Sequence, residues 1–327
     1  MNTLQKINIL AIAIFLLVNL IPFFLSDRFS IYIVSRSLLW AVVALQWALL
    51  LGHAGIYSFG NLFFFGIGGY VAGIAATQGY NPVVCFIAGS LLAMALGLGI
   101  GRLTLKLKGI YMAIFTFVIQ EATRHIVQLE HLAPWTGGPV GLQNIPKIRI
   151  VGIEEMYVQY LMMLILFLVS IVVSYIVVSG KYGLLFRAMR ESEDFASILG
   201  VNIHRIRLLV FSLSALFTGL AGAMFALTSG GFTDEMLLVT TSIDVLFMII
   251  VGGMSTFYGP IAGAFLMTFI TENLRAYLLG ELAVVRIVII SLIIPIILKF
   301  FNRGLVGQFE FYLKERERAK SIKLTNL

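Results

Sequence analysis

Residues 181–207 read KYGLLFRAMRESEDFASILGVNIHRIR, a charged stretch set between two apolar runs, 157–179 and 207–228. Ionisable side chains are costly in hydrocarbon, whereas about 20 apolar residues make one bilayer crossing as a helix. The stretch is therefore read as an extramembrane link between two crossings. Within it, Ser192 is placed to cap a helix N-terminus, Glu193 and Asp194 put negative charge in its first turn, and Gly200 supplies a stop. The spacing predicts a helix of about two turns, with Phe195, Ile198 and Leu199 at i, i+3 and i+4 on one apolar face. So short a helix is marginal alone and has to dock on something. Just before it, Leu184, Leu185, Ala188 and Met189 separate from Arg187, Arg190 and Glu191 in the same amphipathic way. The pattern suits either a helix lying on lipid or a docking element for a cytoplasmic partner.

Working outward, the whole chain shares the character of the flanking runs. Of 327 residues, 60% are hydrophobic and only 12% charged, against roughly 25% charged in soluble domains. The formal charge of +7 is explained by basic residues kept on one side of a bilayer and gives no reason to invoke nucleic acid. The single cysteine, Cys85, excludes an intrachain disulfide framework.

Candidate spans fall at 5–25, 30–51, 57–77, 82–101, 110–129, 157–179, 207–228, 241–257, 259–279 and 283–301, the eighth short enough for a half-helix or re-entrant segment. The first is read as a retained span because no A-x-A cleavage site follows it. With an even count and the N-terminus inside, three basic clusters share the cytoplasmic side: Arg102, Lys106 and Lys108; the 181–207 stretch; and the tail from Lys299 onward. Asp234, Glu235, Glu130, Glu154 and Glu155 fall outside. The expected fold is an all-α integral membrane protein of about ten transmembrane helices with some broken or re-entrant segments. Residues 1–301 form its membrane domain and 302–327 a basic cytoplasmic tail. An inverted five-plus-five repeat, in which spans 2–5 correspond to spans 7–10, fits the count.

Two glycine-rich stretches interrupt the spans. GHAGIYSFGNLFFFGIGGYVAG, residues 52–73, places Gly66, Gly69 and Gly73 on one helical face. Small residues there serve tight helix packing or form the wall of a substrate pathway, with His53, Ser58 and Asn61 as its polar groups. VGGMSTFYGPIAGAF, residues 251–265, breaks the chain at Gly252 and Gly253, with Pro260 early in the next helix. Among intramembrane ionisable residues, Glu272 with Arg275, and Glu121 with Arg124 or His125, are spaced to pair on their own helices. Asp244 has no basic neighbour in its segment and is assigned either to a partner on another helix, such as Arg36 or Arg286, or to the pathway. The histidines have no metal-ligand spacing, and neither a phosphate-binding loop nor a nucleophile elbow is present, so neither an enzyme nor a metal site is expected. If ATP drives this protein, the ATPase is a separate polypeptide.

Taken in order, the 52–73 stretch, LKGIYMAIFTFVIQEATRHI, TGGPVGL, FRAMRESEDFASILGVNIHRIRLLVFSLSALFTGLAGAMFAL and SIDVLFMIIVGGMSTFYGPIAGAF resemble the membrane permease subunits of branched-chain amino acid ABC importers, of the LivM type. The resemblance covers roughly 51–269. It places Asp194, Phe195 and Ala196 in the E-A-A positions of the importer coupling loop and Gly200 at its glycine, Phe195 departing from the small residue usual there. It implies a multi-pass protein of the bacterial cytoplasmic (inner) membrane with both termini cytoplasmic. Its partners would be a LivH-type second permease, two ABC ATPase subunits holding ATP-Mg, and an extracytoplasmic substrate-binding protein facing Trp135, Thr136, Gly137 and Gly138. No cofactor is implied in this chain itself. Arg187, Arg190, Glu191, Asp194, Phe195, Ala196, Ile198, Leu199 and Gly200 would then couple the ATPases to spans 6 and 7. Permeases for urea and short amides share this branch, and an ion-coupled secondary transporter is the alternative from another class.

Overall fold

Helix boundaries follow the apolar runs closely. A computed structural model describes residues 28–150 and 152–278, with 304–312 and a few single positions beyond them. The first expected span and nearly all of the tenth lie outside the described residues, and with them the five-plus-five repeat. Helix α1, Arg28–Ala48, runs on into a π-helical turn, Leu49–His53. It is followed by α2, Asn61–Thr77; α3, Pro82–Leu103, extended by a 3-10 turn, Thr104–Lys106; and α4, Ile110–Val127. Then come α5, Glu155–Ser179; the short α6, Lys181–Glu191, and α7, Glu193–Ile198; and α8, Ile203–Ser229. Last are α9, Val239–Gly252, and α10, Gly259–Tyr277.

The second to ninth expected spans thus each coincide with a helix. Among the described residues, four stretches are by themselves long and apolar enough to cross a membrane: Arg28–His53, Pro82–Lys106, Glu155–Ser179 and Ile203–Ser229. The others fall short for visible reasons. α2 and α9 have 17 and 14 residues, while α4 carries Glu121 and Arg124 and α10 carries Glu272 and Arg275. Burial separates the roles of the long helices: 67% of the apolar window of α8 is buried but only 28% of that of α5. Ile165, Leu168, Val172 and Ile176 of α5 are exposed, the surface a helix presents to lipid.

The chain divides into two compact units, 38–246 and a second made of 1–37 with 247–327. In the first, α2, α3 and α8 pack backbone to backbone. A Cβ on Gly222 would strike the Phe65 carbonyl, one on Gly68 the backbone of Gly219, and one on Gly89 the Gly68 carbonyl oxygen at 2.6 Å. The expected stripe Gly66, Gly69 and Gly73 lies on another face. It receives Leu237, Phe232, and Leu142 with Ile145, respectively, all from connecting segments. Those segments are held by one antiparallel bridge, Leu142 to Phe232, and by the Ile145 amide donating to the Gly230 carbonyl at 2.9 Å. The stripe is therefore a seat for loops, and the closest helix contacts use the glycines beside it.

In the second unit, α9 and α10 meet where a Cβ on Gly252 would strike Gly259 and one on Gly263 the Met248 carbonyl. Gly304 packs on Gly252 and Gly253. Glu272 pairs with Arg275 at 3.7 Å, as its spacing predicts, and also with Arg36 at 3.6 Å. Arg36 thus has Glu272 as a carboxylate partner.

Candidate functional site

The short helices α6 and α7 form a knuckle that sequence explains at each step. Gly180 and Gly183 turn the chain sharply out of α5; a Cβ on Gly183 would strike the Val178 carbonyl. Helix α6 buries Gly183, Phe186 and Met189, an i, i+3, i+6 face, whereas Leu184 is exposed. This corrects the expected apolar set: Phe186 takes the central place, sitting with Met189 in a core of Leu49, Leu50, Phe64, Val210 and Phe211. Arg190 lies one turn after Phe186 on the same face, its backbone close to Gly55, and its Nη1 donates to the Gly52 carbonyl at 2.7 Å. That carbonyl belongs to the π-helical turn ending α1, where a basic group also meets the negative end of the helix dipole.

Helix α7 is closed at both ends. The Ser192 hydroxyl accepts from the Phe195 amide at 3.2 Å. At the other end, Val201 N donates to Ala196 O at 3.1 Å and Gly200 N to Ser197 O at 3.0 Å, with Gly200 at φ +83°. These are the two bonds of a Schellman motif. They give the alanine and glycine of the expected signature a physical reason: Ala196 is fully buried under the turn, and Gly200 supplies its left-handed residue. Phe195, Ile198 and Leu199 face outward, 62%, 80% and 66% exposed, and Tyr182 and Leu184 of α6 are exposed too.

One residue of this site gave no local signal. Arg207, in the second turn of α8, is 2% exposed. Its Nη1 donates to the Thr104 carbonyl at 2.6 Å and reaches those of Leu105 and Leu107 at 3.2 and 3.3 Å. Its Nη2 pairs with Glu193 of α7. Beside it Lys108 Nζ lies 2.8 Å from Asp194 Oδ1. Burial brings this arginine to the carbonyls that end α3, groups a helix cannot satisfy by itself.

Among the expected pathway residues His53, Ser58 and Asn61 are buried, and Asn61 is bonded to the neighbouring helix α8. Asn61 Nδ2 donates to Thr218 Oγ1 at 3.2 Å, and the Ser214 hydroxyl is 2.9 Å from Asn61 Oδ1 and 3.0 Å from the Gln46 carbonyl. Gln46 Nε2 donates to Ser170 and Ser174, each at 2.9 Å. Trp47 Nε1 donates to the Ser58 carbonyl at 2.7 Å, and His53 Nδ1 lies 3.4 Å from the Ala48 carbonyl. Asp244 sits on an exposed face of α9. Gly252 is buried, and Gly253 stands at φ +120° where α9 ends.

At the 128–150 connection Trp135 is 58% exposed. Thr136 and Gly138 are buried, the Thr136 hydroxyl donating to the Val127 carbonyl at 2.7 Å, and Gly137 and Gly138 both have positive φ. The T-G-G run thus shapes the turn that closes α4. Asp234 is buried too, accepting from Gln128 at 2.6 Å and pairing with Arg124 at 3.5 Å. Arg124 also pairs with Glu121 at 3.1 Å, as their spacing predicts.

A family model described as branched-chain amino acid transport system / permease component matches residues 29–297. The high-affinity branched-chain amino acid transport system permease protein LivM of Escherichia coli (strain K12) is 28% identical over 298 residues, 83% of this chain and 69% of that protein. LivM of Salmonella typhimurium (strain LT2) is 28% identical over 280 residues, 78% of this chain and 65% of that protein. The chain spans about two thirds of the length of these relatives. No solved structure matches it. The apolar helices, the glycine-packed core and the match over most of the chain lead to one statement: this multi-pass membrane protein belongs to the family of branched-chain amino acid transport system permease components.

Proposed function

We propose that the chain is the permease subunit through which an ATP-driven importer moves branched-chain, hydrophobic amino acids across the bacterial cytoplasmic membrane. It works beside a LivH-type second permease, two ATPase subunits that hold ATP-Mg, and an extracytoplasmic binding protein. Both termini and the 180–207 segment face the cytoplasm, in keeping with the basic clusters. The solute is suggested by the relatives' names, since the chain offers few convergent polar groups for a zwitterion.

One observation carries this reading: the exposed apolar face of Phe195, Ile198 and Leu199 on a helix capped at both ends. A capped helix loses little entropy on docking, and a helix face seated in a groove is a recurrent recognition mode. The face receives the ATPase, whose closure moves α7 and through it α5 and α8. Phe195→Asp changes only an exposed side chain, so membrane insertion and melting should stay as in the wild type while co-purification with the ATPase pair and uptake are lost. Unimpaired association and uptake would refute the assignment.

A further inference from the structure

The cytoplasmic ends of α3 and α4 are joined by the short 104–109 loop, which is tied to α7 at two places. Arg207 carries the stronger tie. Its guanidinium lies between the C-terminal carbonyls of α3, where the helix dipole is negative, and Glu193 in the first turn of α7, where the dipole is positive. Each face of the fork meets the charge it prefers, and burial at 2% removes the competition of water. Lys108 and Asp194 make the second tie, 61% and 84% exposed; it is screened and weak, and contributes alignment more than strength. Of the two acidic residues that open α7, Asp194 is held directly by Lys108 of the loop between α3 and α4, 86 residues earlier in the chain, and Glu193 is linked to that loop through Arg207 of α8.

We propose that Arg207 is a positioning residue that makes α7 and the 104–108 loop one rigid coupling body, so that the ATPase stroke enters the membrane through α3 and α4 as well as through α5 and α8. The inference rests on the proposed docking of the ATPase on α7. α3 transmits what it receives: α8 packs along it, a Cβ on Gly97 striking Ala215 and one on Gly101 meeting Phe211 at 3.2 Å. With such close packing a push on the loop displaces α3 and α8 together and cannot be absorbed between them.

The test uses the complete importer with both ATPases. Arg207 is buried and its removal endangers folding, so the probe variant is Glu193→Gln, at the partly exposed end of the bridge. The carbonyl contacts of Arg207 survive in it and the charged tie to α7 is lost. ATPase association and ATP hydrolysis should stay at wild-type levels, while solute moved per ATP falls at least about fivefold, as a broken coupling of ordinary size requires. A second measurement reads the rigid body directly. Spin labels at Lys106 and Ser197 should keep one separation with and without nucleotide in the wild type, and acquire a nucleotide-dependent shift in Glu193→Gln. A shift already present in the wild type, or full coupling in Glu193→Gln, overturns the proposal. Loss of ATPase association in Glu193→Gln also overturns it, by making Glu193 a docking residue. The underlying docking reading fails on a different result, retained association in Phe195→Asp.

Discussion

Gly200 offers a substitution whose effect is set by backbone alone. It stands at φ +83°, and a Cβ built there has no atom within 4 Å, so any side chain can be accommodated in space. What remains is conformational: an L-residue in the left-handed region costs about 1–2 kcal/mol, least for Asn and most for β-branched residues. Helix α7 has six residues, too few to absorb that cost through helix cooperativity. The ratio of capped to frayed α7 should fall by about 5- to 30-fold for 1–2 kcal/mol. The expected order is Gly200→Asn closest to the wild type, Gly200→Ala intermediate and Gly200→Val worst. Hydrogen exchange of the Val201 amide, which donates to the Ala196 carbonyl at 3.1 Å, reports the cap; uptake by the reconstituted importer reports its use. Two results would refute the reasoning. Val behaving as the wild type would mean that the cap is dispensable. Asn and Val being equally damaging would mean that a contact with a partner, not φ, selects glycine here.

The glycine core and the charged tie give further expectations. Gly222→Ala puts a Cβ against the Phe65 carbonyl, a backbone atom that cannot rotate away, and should cost about 1–3 kcal/mol by overpacking. Gly99→Ala on α3 meets nothing within 4 Å and should gain roughly 0.5–1 kcal/mol from helix entropy; melting in detergent reads both, and equal effects would refute the packing account. The Asp194 carboxylate beside Lys108 holds its ammonium above the usual range. The pair is therefore fully formed below lysine's ordinary value of about 10.4 and is lost only as pH rises through the raised one. At about pH 10 acetylation of Lys108, followed by mass spectrometry, should be slower in the wild type than in Asp194→Asn; equal rates would remove the pair.

How much of this was legible in sequence depended on the range of the interaction that sets each feature. Span positions were readable because a crossing needs only length and apolarity. The ends of α7 were readable for a similar reason, since Ser192 and Gly200 act on backbone groups within a turn or so. Glu272 with Arg275, and Glu121 with Arg124, follow from helical spacing. Phe186 was missed because its partners, Leu49 and Phe64, lie far away in the chain, and the amphipathic pattern alone favoured Leu184. Arg207 was counted as one charge among the basic residues of a loop, yet it is a buried cap for a helix ending near Thr104. No local pattern distinguishes the two. The glycine stripe at Gly66, Gly69 and Gly73 had the right spacing for helix packing but met connecting segments, because spacing defines a face and not what covers it.

The buried amide and hydroxyl groups have a consequence for how the protein is made. Gln46 donates to Ser170 and Ser174, and its carbonyl is bonded by Ser214, 168 residues later. At a synthesis rate of roughly 5–20 residues per second, on the order of ten seconds separates the emergence of Gln46 from that of Ser214. During that time the side-chain amide of Gln46 has no partners until Ser170 and Ser174 of α5 emerge, and the amide of Asn61 has none until Ser214 and Thr218 of α8 do. Hydrocarbon gives such a group nothing to bond to. The π-helical end of α1 is similarly incomplete until Arg190 reaches Gly52. Maturation of this permease is thus gated by the arrival of α8, and a chain truncated before it should be recognised by membrane quality control as unfinished, however well its early helices insert.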